Sequence, residues 1–125
     1  MKLTLSPHVF AVCQLEASAE VPAWSLQGSF FSVSKSADEL SIVCEQRNVP
    51  AHIKSEGDWR VFKVEGPLDF NLTGILASIA VPLAQAKVSI FAISTFDTDY
   101  VLVRGRDLDT AVGSLKAAGF SVHSG

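Results

Sequence analysis

The stretch Val88-Ser-Ile-Phe-Ala-Ile-Ser-Thr-Phe-Asp-Thr-Asp-Tyr-Val-Leu-Val-Arg104 decides the fold, because its pattern predicts a β-hairpin. Val and Ile dominate both arms, and β-branched residues fit a pleated, half-buried surface. Between the arms, residues 94–99 carry three hydroxyls and two carboxylates. Turn chemistry explains part of this polarity, since Asp and Thr readily bond nearby backbone. The hairpin is therefore the frame of the fold and also a candidate binding site.

The elements around this hairpin follow the order βαββαβ. Residues 59–66 alternate apolar and polar side chains, which predicts a strand with one buried face. Asp107 begins a predicted second helix that ends at Gly119, and residues 120–123 form a last short strand. Apolar residues with helical spacing predict the first helix: Leu72, Ile75, Leu76, Ile79, Ala80 and Leu83. Asn71 or Asp69 can cap this helix.

This element order predicts an α+β fold of the ferredoxin-like type, in which an antiparallel sheet carries both helices on one face. Pro82 lies inside the first helix and should kink it or fray its last turn.

An internal repeat extends the pattern to the N-terminal half. Residues 31–43 align without a gap with residues 91–103, so that Glu39 meets Asp99. Residues 9–12 resemble residues 61–64, but only 22 residues separate the two blocks in the first copy, against 30 in the second. The difference is about two turns of helix. Chance similarity between two apolar hairpins is the alternative explanation.

The repeat predicts two tandem modules. Residues 1–58 would form a degenerate, helix-poor module made mostly of strands, and residues 59–125 a complete βαββαβ module. In the gapless alignment Ala37 replaces Asp97 and Lys35 replaces Thr95. We therefore expect the second copy to hold the working site and the first to be scaffold.

Composition excludes several classes of protein. The chain has 125 residues, a net charge of −3 and no basic run, so we expect no nucleic-acid surface. The N-terminus lacks the apolar segment of a signal peptide. The longest apolar segment, residues 75–84, is far shorter than the roughly 20 residues that span a bilayer. We expect a soluble cytoplasmic protein without membrane contact.

The residues that usually carry catalysis are sparse and dispersed. Cys13 and Cys44 lie in strand-like apolar runs, and we expect them to be buried free thiols. His8, His52 and His123 show no metal-ligand spacing, so no metal site is expected. No nucleotide-binding or nucleophile motif occurs. The sequence therefore predicts a protein that is not an enzyme and uses no cofactor.

Two motifs carry a resemblance to a known family: Thr73-Gly-Ile-Leu76 on the first helix and Ile93-Ser-Thr-Phe-Asp-Thr-Asp99 on the hairpin. They resemble ACT domains. The most similar subgroup is the small bacterial tandem-ACT proteins, which are related to the ACT modules of cytosolic arginine sensors and of aspartate kinase regulatory regions. The resemblance is clear over residues 59–104 and weaker over residues 8–46 and 105–123.

The resemblance implies allosteric regulation by an amino acid or similar metabolite held at an interface between two ACT modules. It places ligand contacts on the loop and first turn of the first helix and on the hairpin. The matching positions are Leu68, Asp69, Phe70, Gly74, Ile75, Leu76, Ser94, Thr95, Phe96, Asp97 and Asp99. Leu72 departs from the arginine sensors, which carry an acidic residue there, so arginine is weakened as the ligand.

Physical chemistry predicts ligand contacts at these positions, but purely structural roles are the alternative. Amides at a helix N-terminus suit a ligand carboxylate, and Gly74 permits close approach. Asp97 or Asp99 could accept hydrogen bonds from a ligand ammonium. Alternatively, both Asp residues only make the turn, Gly74 only permits helix packing, and Phe96 is an interface plug instead of a pocket wall.

Two functional interpretations remain open. The first is an amino-acid sensor that acts on a separate regulated protein. The second is a structural or protein-interaction module whose ligand pocket is degenerate. Under either interpretation we expect a homodimer, because Phe and Trp residues of the helix-poor half should be exposed.

Overall fold

The computed structural model describes residues 1–66 and 74–125, and internal contacts divide the chain into two compact units. The N-terminal unit is residues 8–59, and the C-terminal unit is residues 1–7 with residues 60–125. The strands are β1 (Lys2–Leu5), β2 (Phe10–Leu15), β3 (Ser32–Lys35), β4 (Leu40–Glu45), β5 (Ser55–Val64), β6 (Ile90–Ser94), β7 (Asp99–Arg104) and β8 (Ser121–Ser124). The helices are α1 (Ile75–Gln85) and α2 (Leu108–Ala117).

The C-terminal unit confirms the predicted α+β order β5-α1-β6-β7-α2-β8. Its strands lie in the order β6-β7-β5-β1-β8. Strand β1 is a member of this sheet because Leu3 pairs with Val64 in antiparallel register and with Val122 in parallel register. The two compact units meet between residues 59 and 60, and residues 1–7 belong to the C-terminal unit.

Both helices of the C-terminal unit pack on the sheet through one apolar core. Ile79 and Leu83 of α1 and Leu115 of α2 are fully buried against Phe62 and Val64 of β5. The spacing of the α1 residues is the one that the sequence predicted. Helix α1 continues past Pro82 and ends at Gln85. The predicted start at Leu72 and the predicted caps Asn71 and Asp69 lie outside the described residues.

The N-terminal unit is an antiparallel sheet in the order β3-β4-β2-β5, and β5 contributes its first half. None of residues 8–59, all of which are described, forms an α-helix; short 3-10 turns occupy Ala23–Leu26 and Gln46–Asn48. Residues outside the strands cover the buried core of β2 and β4 together with Leu15 of β2: Ala19, Trp24, Val49 and Ile53. This unit is therefore helix-poor, as predicted.

Trp24, the tryptophan of residues 1–58, is only partly exposed, so its predicted exposure was wrong. Trp24 packs against the core of the N-terminal unit, and Trp59 is only 8% exposed. Phe10 is buried and meets Phe30 edge-on with ring centroids 5.9 Å apart. Of the aromatic residues in this half, Phe31 has substantial exposure.

The two hairpins have turns of the same length, but the gapless sequence alignment of the hairpins is wrong by one residue. Lys35 pairs with Leu40 across the first turn, as Ser94 pairs with Asp99 across the second. The structural equivalent of Asp99 is therefore Leu40 and not Glu39. By the same register Asp38, and not Ala37, is equivalent to Asp97. Consecutive apolar residues in the arms do not distinguish the two registers, although a one-residue shift turns every side chain to the opposite face.

No helix within the described ranges is both long enough and apolar enough to cross a bilayer.

Candidate functional site

The base of the second hairpin is closed by a polar pair. Ser94 Oγ donates a hydrogen bond of 2.6 Å to Asp99 Oδ1. Side chains alternate along a strand, so Asp99 lies on the same face as the core residues Val101 and Val103. The pair therefore lies on the helix-covered side of the sheet, where the apolar core gives way to polar groups.

The turn itself is bonded to the neighbouring strand. Thr95 N donates to the Thr98 carbonyl at 2.8 Å, and the Thr95 hydroxyl adds a second bond to the same oxygen at 3.1 Å. Thr98 is 5% exposed, and its Oγ1 donates to the Val64 carbonyl at 2.5 Å. The turn is thus held at the end of β5 by a buried bond.

Thr98 was missing from the predicted site. Its hydroxyl satisfies a backbone carbonyl that the end of β5 leaves open, and buried polar groups of this kind need a partner. Sequence gives no signal that separates Thr98 from Thr95, because both lie in the same polar stretch. Only the pairing of β7 with β5 reveals the contact.

Phe96 and Asp97 form the tip of the turn. Phe96 is 80% exposed, which is more than any other large apolar residue of the described chain. Asp97 is also exposed. A carboxylate and an aromatic ring at the tip can contact a ligand or a second protein surface.

Gly74 precedes α1 with a backbone φ of +77°, in the left-handed region. A Cβ built on Gly74 would meet no atom of residues 1–66 or 75–125 within 4 Å. The backbone conformation therefore favours glycine at this position, because residues with a Cβ rarely adopt this φ.

The first turn of α1 continues from this glycine. Ser78 N donates to the Gly74 carbonyl at 2.8 Å, which closes the first helical turn. Ile75 and Leu76 are half-buried and pack against the apolar core, so their side chains contribute to the fold. The predicted contacts Leu68, Asp69 and Phe70 lie outside the described residues.

Topology brings the end of β5, the start of α1 and the β6–β7 turn to one end of the C-terminal unit. Helix α1 runs back along the sheet from the end of β5, and β6 then returns toward that end. The Thr98–Val64 bond places the turn there directly. The positive end of the helix and the carboxylates of Asp97 and Asp99 therefore occupy the same end of the module.

Glu65 adds a further carboxylate next to β5. Thr4 Oγ1 donates to Glu65 Oε1 at 2.6 Å. This hydrogen bond, with smaller contributions from Lys63 and Lys2, holds the pKa of the Glu65 carboxyl below its ordinary value. Among the described residues no group of three or more His, Cys, Asp and Glu side chains is arranged to hold a metal ion.

Comparison with known proteins agrees with this architecture. The sequence profile of the ACT domain matches residues 54–117, and a profile for an N-terminal domain matches residues 8–52. The human cytosolic arginine sensor for mTORC1 subunit 1 is 40% identical over 83 residues, which are 60% of this chain and 25% of the sensor. The mouse protein is 36% identical over 95 residues, or 70% of this chain and 29% of its own. The chain thus spans about a quarter of these relatives.

Solved structures extend the similarity to nearly the whole chain. A protein from Agrobacterium tumefaciens superposes with a TM-score of 0.94 and 38% identity, covering 99% of this chain and 92% of its own. The regulatory subunit of aspartate kinase from Thermus flavus has a TM-score of 0.66 at 9% identity, with 94% and 97% of the two chains covered. The second likeness shows the shared fold alone. Because the ACT-domain profile covers just over half of its residues, the chain belongs to the ACT-domain family.

Proposed function

We propose that this protein is a regulatory sensor that binds a small amino acid or similar metabolite at one end of its C-terminal unit. The observation that carries the proposal is the fixed polar turn at the N-terminal end of α1, held by the Ser94–Asp99 and Thr98–Val64 hydrogen bonds. Pre-organised polar groups lose little conformational entropy when a ligand binds, which favours affinity.

The chemistry of the two ends of an amino acid fits this arrangement. The free amides of the first turn of α1 would hold the ligand carboxylate, because a helix N-terminus carries partial positive charge. Asp97, which is exposed, would accept hydrogen bonds from the ligand ammonium, with Asp99 as a second acceptor. Leu68, Asp69 and Phe70 would complete the site from the segment before α1.

The relatives support an amino acid as the ligand class. The mammalian arginine sensors share 36–40% identity with part of this chain, and their name states that they sense arginine. The resemblance implies an acidic residue in the arginine sensors at the position of Leu72, and this departure weakens arginine as the ligand. The signal would pass to a separate protein or through a homodimer in which a second module completes the site. We propose that the chain itself is not an enzyme and acts in the cytosol.

An interaction module without a ligand is the second candidate. Two observations favour it: Ser94 already occupies one oxygen of Asp99, and Phe96 projects 80% of its surface to the outside. An exposed aromatic residue at the tip of a rigid hairpin is typical of a binding hot spot for another protein.

A thermal-shift screen against the standard amino acids separates the two candidates. A ligand at 100 times its Kd stabilises the folded state by about 2.7 kcal/mol, which should raise Tm by roughly 10 °C for a chain of this size. Asp97→Ala should abolish the shift, whereas Asp38→Ala, at the equivalent position of the other hairpin, should retain it. If no amino acid raises Tm, or if both variants respond equally, the proposed site is wrong.

A further inference from the structure

The only two cysteines of the chain lie side by side in the N-terminal unit. Cys13 of β2 pairs with Ile42 of β4, and Cys44 of β4 pairs with Ala11 of β2. The two thiols are thus diagonal neighbours across two adjacent strands, although 30 residues separate them in sequence. Both belong to one apolar cluster, so both side chains point to the same face of the sheet.

The two thiols are also chemically coupled. They are hydrogen-bonded to each other, which lowers the pKa of Cys13, while that bond and burial raise the pKa of Cys44. Their side chains are shielded from solvent, since Cys13 is 1% exposed and Cys44 is 0% exposed. Two sulfur donors thus lie side by side on one face of the sheet.

Distances decide between a disulfide and a shared ion. A disulfide needs Cα atoms about 4.4–6.8 Å apart, with its sulfurs about 2 Å from each other. Diagonal neighbours in an antiparallel sheet have Cα atoms about 7–8 Å apart, so a disulfide would require the strands to move. An ion held by two metal–sulfur bonds of about 2.3 Å spans sulfurs up to about 4.6 Å apart. The diagonal placement of the two cysteines on one face of the sheet therefore suits a shared ion better than a disulfide.

We propose that Cys13 and Cys44 form a two-coordinate binding site for a soft monovalent metal ion, with cuprous ion as the representative. Soft thiolate ligands select this ion class. Binding converts two thiols and one Cu⁺ into a bis-thiolate complex with one negative charge and releases two protons; no electron is transferred. The site is independent of the proposed amino-acid site, which lies in the other unit.

The surroundings limit the coordination number. The other members of the buried cluster are Ala11, Leu40 and Ile42, none of which can donate to a metal. Within the described ranges no third His, Cys, Asp or Glu completes a metal-binding group with these thiols. Ions that require four ligands, such as Zn²⁺, should therefore bind poorly. Loops, and not helices, cover the cluster, so an ion can enter through local opening.

The test is an anaerobic titration of the full chain with Cu⁺ against a coloured competing chelator. We expect one equivalent per chain, a raised Tm, and an apparent affinity that increases at least tenfold from pH 6 to pH 7 because protons are released. Cys13→Ser and Cys44→Ser should each weaken binding at least tenfold. Ala11→Ser is the matched control, since it adds a hydroxyl to the same cluster but keeps both thiols; it should bind normally.

Three results would overturn this inference. One is the absence of stoichiometric Cu⁺ binding by the folded wild-type chain, checked by circular dichroism. Another is unchanged affinity in both folded serine variants. The last is ready formation of an intramolecular disulfide with diamide, seen as a loss of two hydrogens by mass spectrometry, because it would show that the strands approach more closely than the metal site requires.

Discussion

The two hairpins of this protein share a frame but differ at its base. In each, the first turn residue donates its N–H to the carbonyl of the fourth: Ser36 to Glu39 at 3.0 Å, and Thr95 to Thr98 at 2.8 Å. The strand residues that flank the turns are Lys35 and Leu40 in the first hairpin, but Ser94 and Asp99 in the second. Two turns with the same backbone hydrogen bond are therefore flanked by different residues: a lysine and a buried leucine in one unit, and a hydrogen-bonded Ser–Asp pair in the other.

The side chains at these positions follow what covers each sheet. Leu40 is buried in a core that loops cover, so an apolar residue at the hairpin base completes that core. Lys35 reaches across to the Ala17 carbonyl of the covering loop. In the C-terminal unit the helices supply the apolar cover, and Asp99 remains half-buried with Ser94 as its partner. Because helices complete the core of the C-terminal unit, its hairpin base can hold polar residues without loss of apolar packing.

Exchanging the two base residues gives the largest expected effect. Leu40→Asp replaces a buried leucine among Ala11, Ile42 and Leu15 with a carboxylate, so it should lower the free energy of unfolding by about 3–5 kcal/mol even though Lys35 lies opposite it on β3. The reverse change, Asp99→Leu, removes a half-exposed carboxylate and should cost no more than about 1 kcal/mol. Urea denaturation measures both changes. Equal losses would contradict the difference between the two hairpins.

The two units also differ in the backbone of the segment that precedes each hairpin. Only the C-terminal unit has a helix there, and Gly74 enters it with φ +77°. Gly74→Ala should lower the free energy of unfolding by about 1–2 kcal/mol, because an alanine in the left-handed region is strained although no atom is near.

Gly113→Ala is the matched control for that change. Gly113 lies inside α2, has open space around its Cα and does not have a left-handed φ. The substitution should stabilise the protein by about 0.5–1 kcal/mol. Thermal denaturation of the two variants should therefore shift Tm in opposite directions. A destabilised Gly113→Ala would mean that helix packing, and not backbone conformation, governs these glycines.

The sequence predicted much of the fold because period-2 and period-3.6 apolar patterns are strong signals in this chain. The strands of both hairpins, the core face of α1 and the end of α2 near Gly119 followed from local residues. The position of β1 did not, because its partners β5 and β8 are more than 50 residues away in sequence. Long-range pairing depends on which apolar faces meet, and a four-residue strand carries too little pattern to specify it.

The site was predicted less completely for the same reason. The resemblance pointed to the turn that holds Ser94 and Asp99, and the hydrogen bond between these two residues joins positions only five apart in sequence. Thr98 and Glu65 were missed because their partners, Val64 and Thr4, come from other strands. The cysteine pair was missed too, since strand register alone makes Cys13 and Cys44 neighbours.

A polar residue near the end of the strand before each hairpin makes a side-chain hydrogen bond, and these two bonds differ in length. The difference should appear in how stability depends on pH. Gln14 Nε2 reaches Glu39 Oε1 at only 3.4 Å in the N-terminal unit, whereas Glu65 accepts from Thr4 at 2.6 Å in the C-terminal unit. The bond from Thr4 lowers the pKa of Glu65 in the folded state. A lowered folded-state pKa contributes stability above the unfolded-state pKa, and that stability is lost as pH falls through the folded-state pKa.

We therefore expect a small loss of Tm below about pH 4.3, the ordinary pKa of a Glu side chain. Thr4→Val removes the donor, so it should lower Tm slightly where Glu65 is ionised in both states, and its difference from wild type should shrink as pH falls. Gln14→Leu is the control, because it removes the longer side-chain hydrogen bond to Glu39 in the other unit. Titration of Glu65 by NMR in wild type and Thr4→Val measures the cause directly. An unchanged Glu65 pKa in the variant would assign the shift to Lys63 and Lys2 instead.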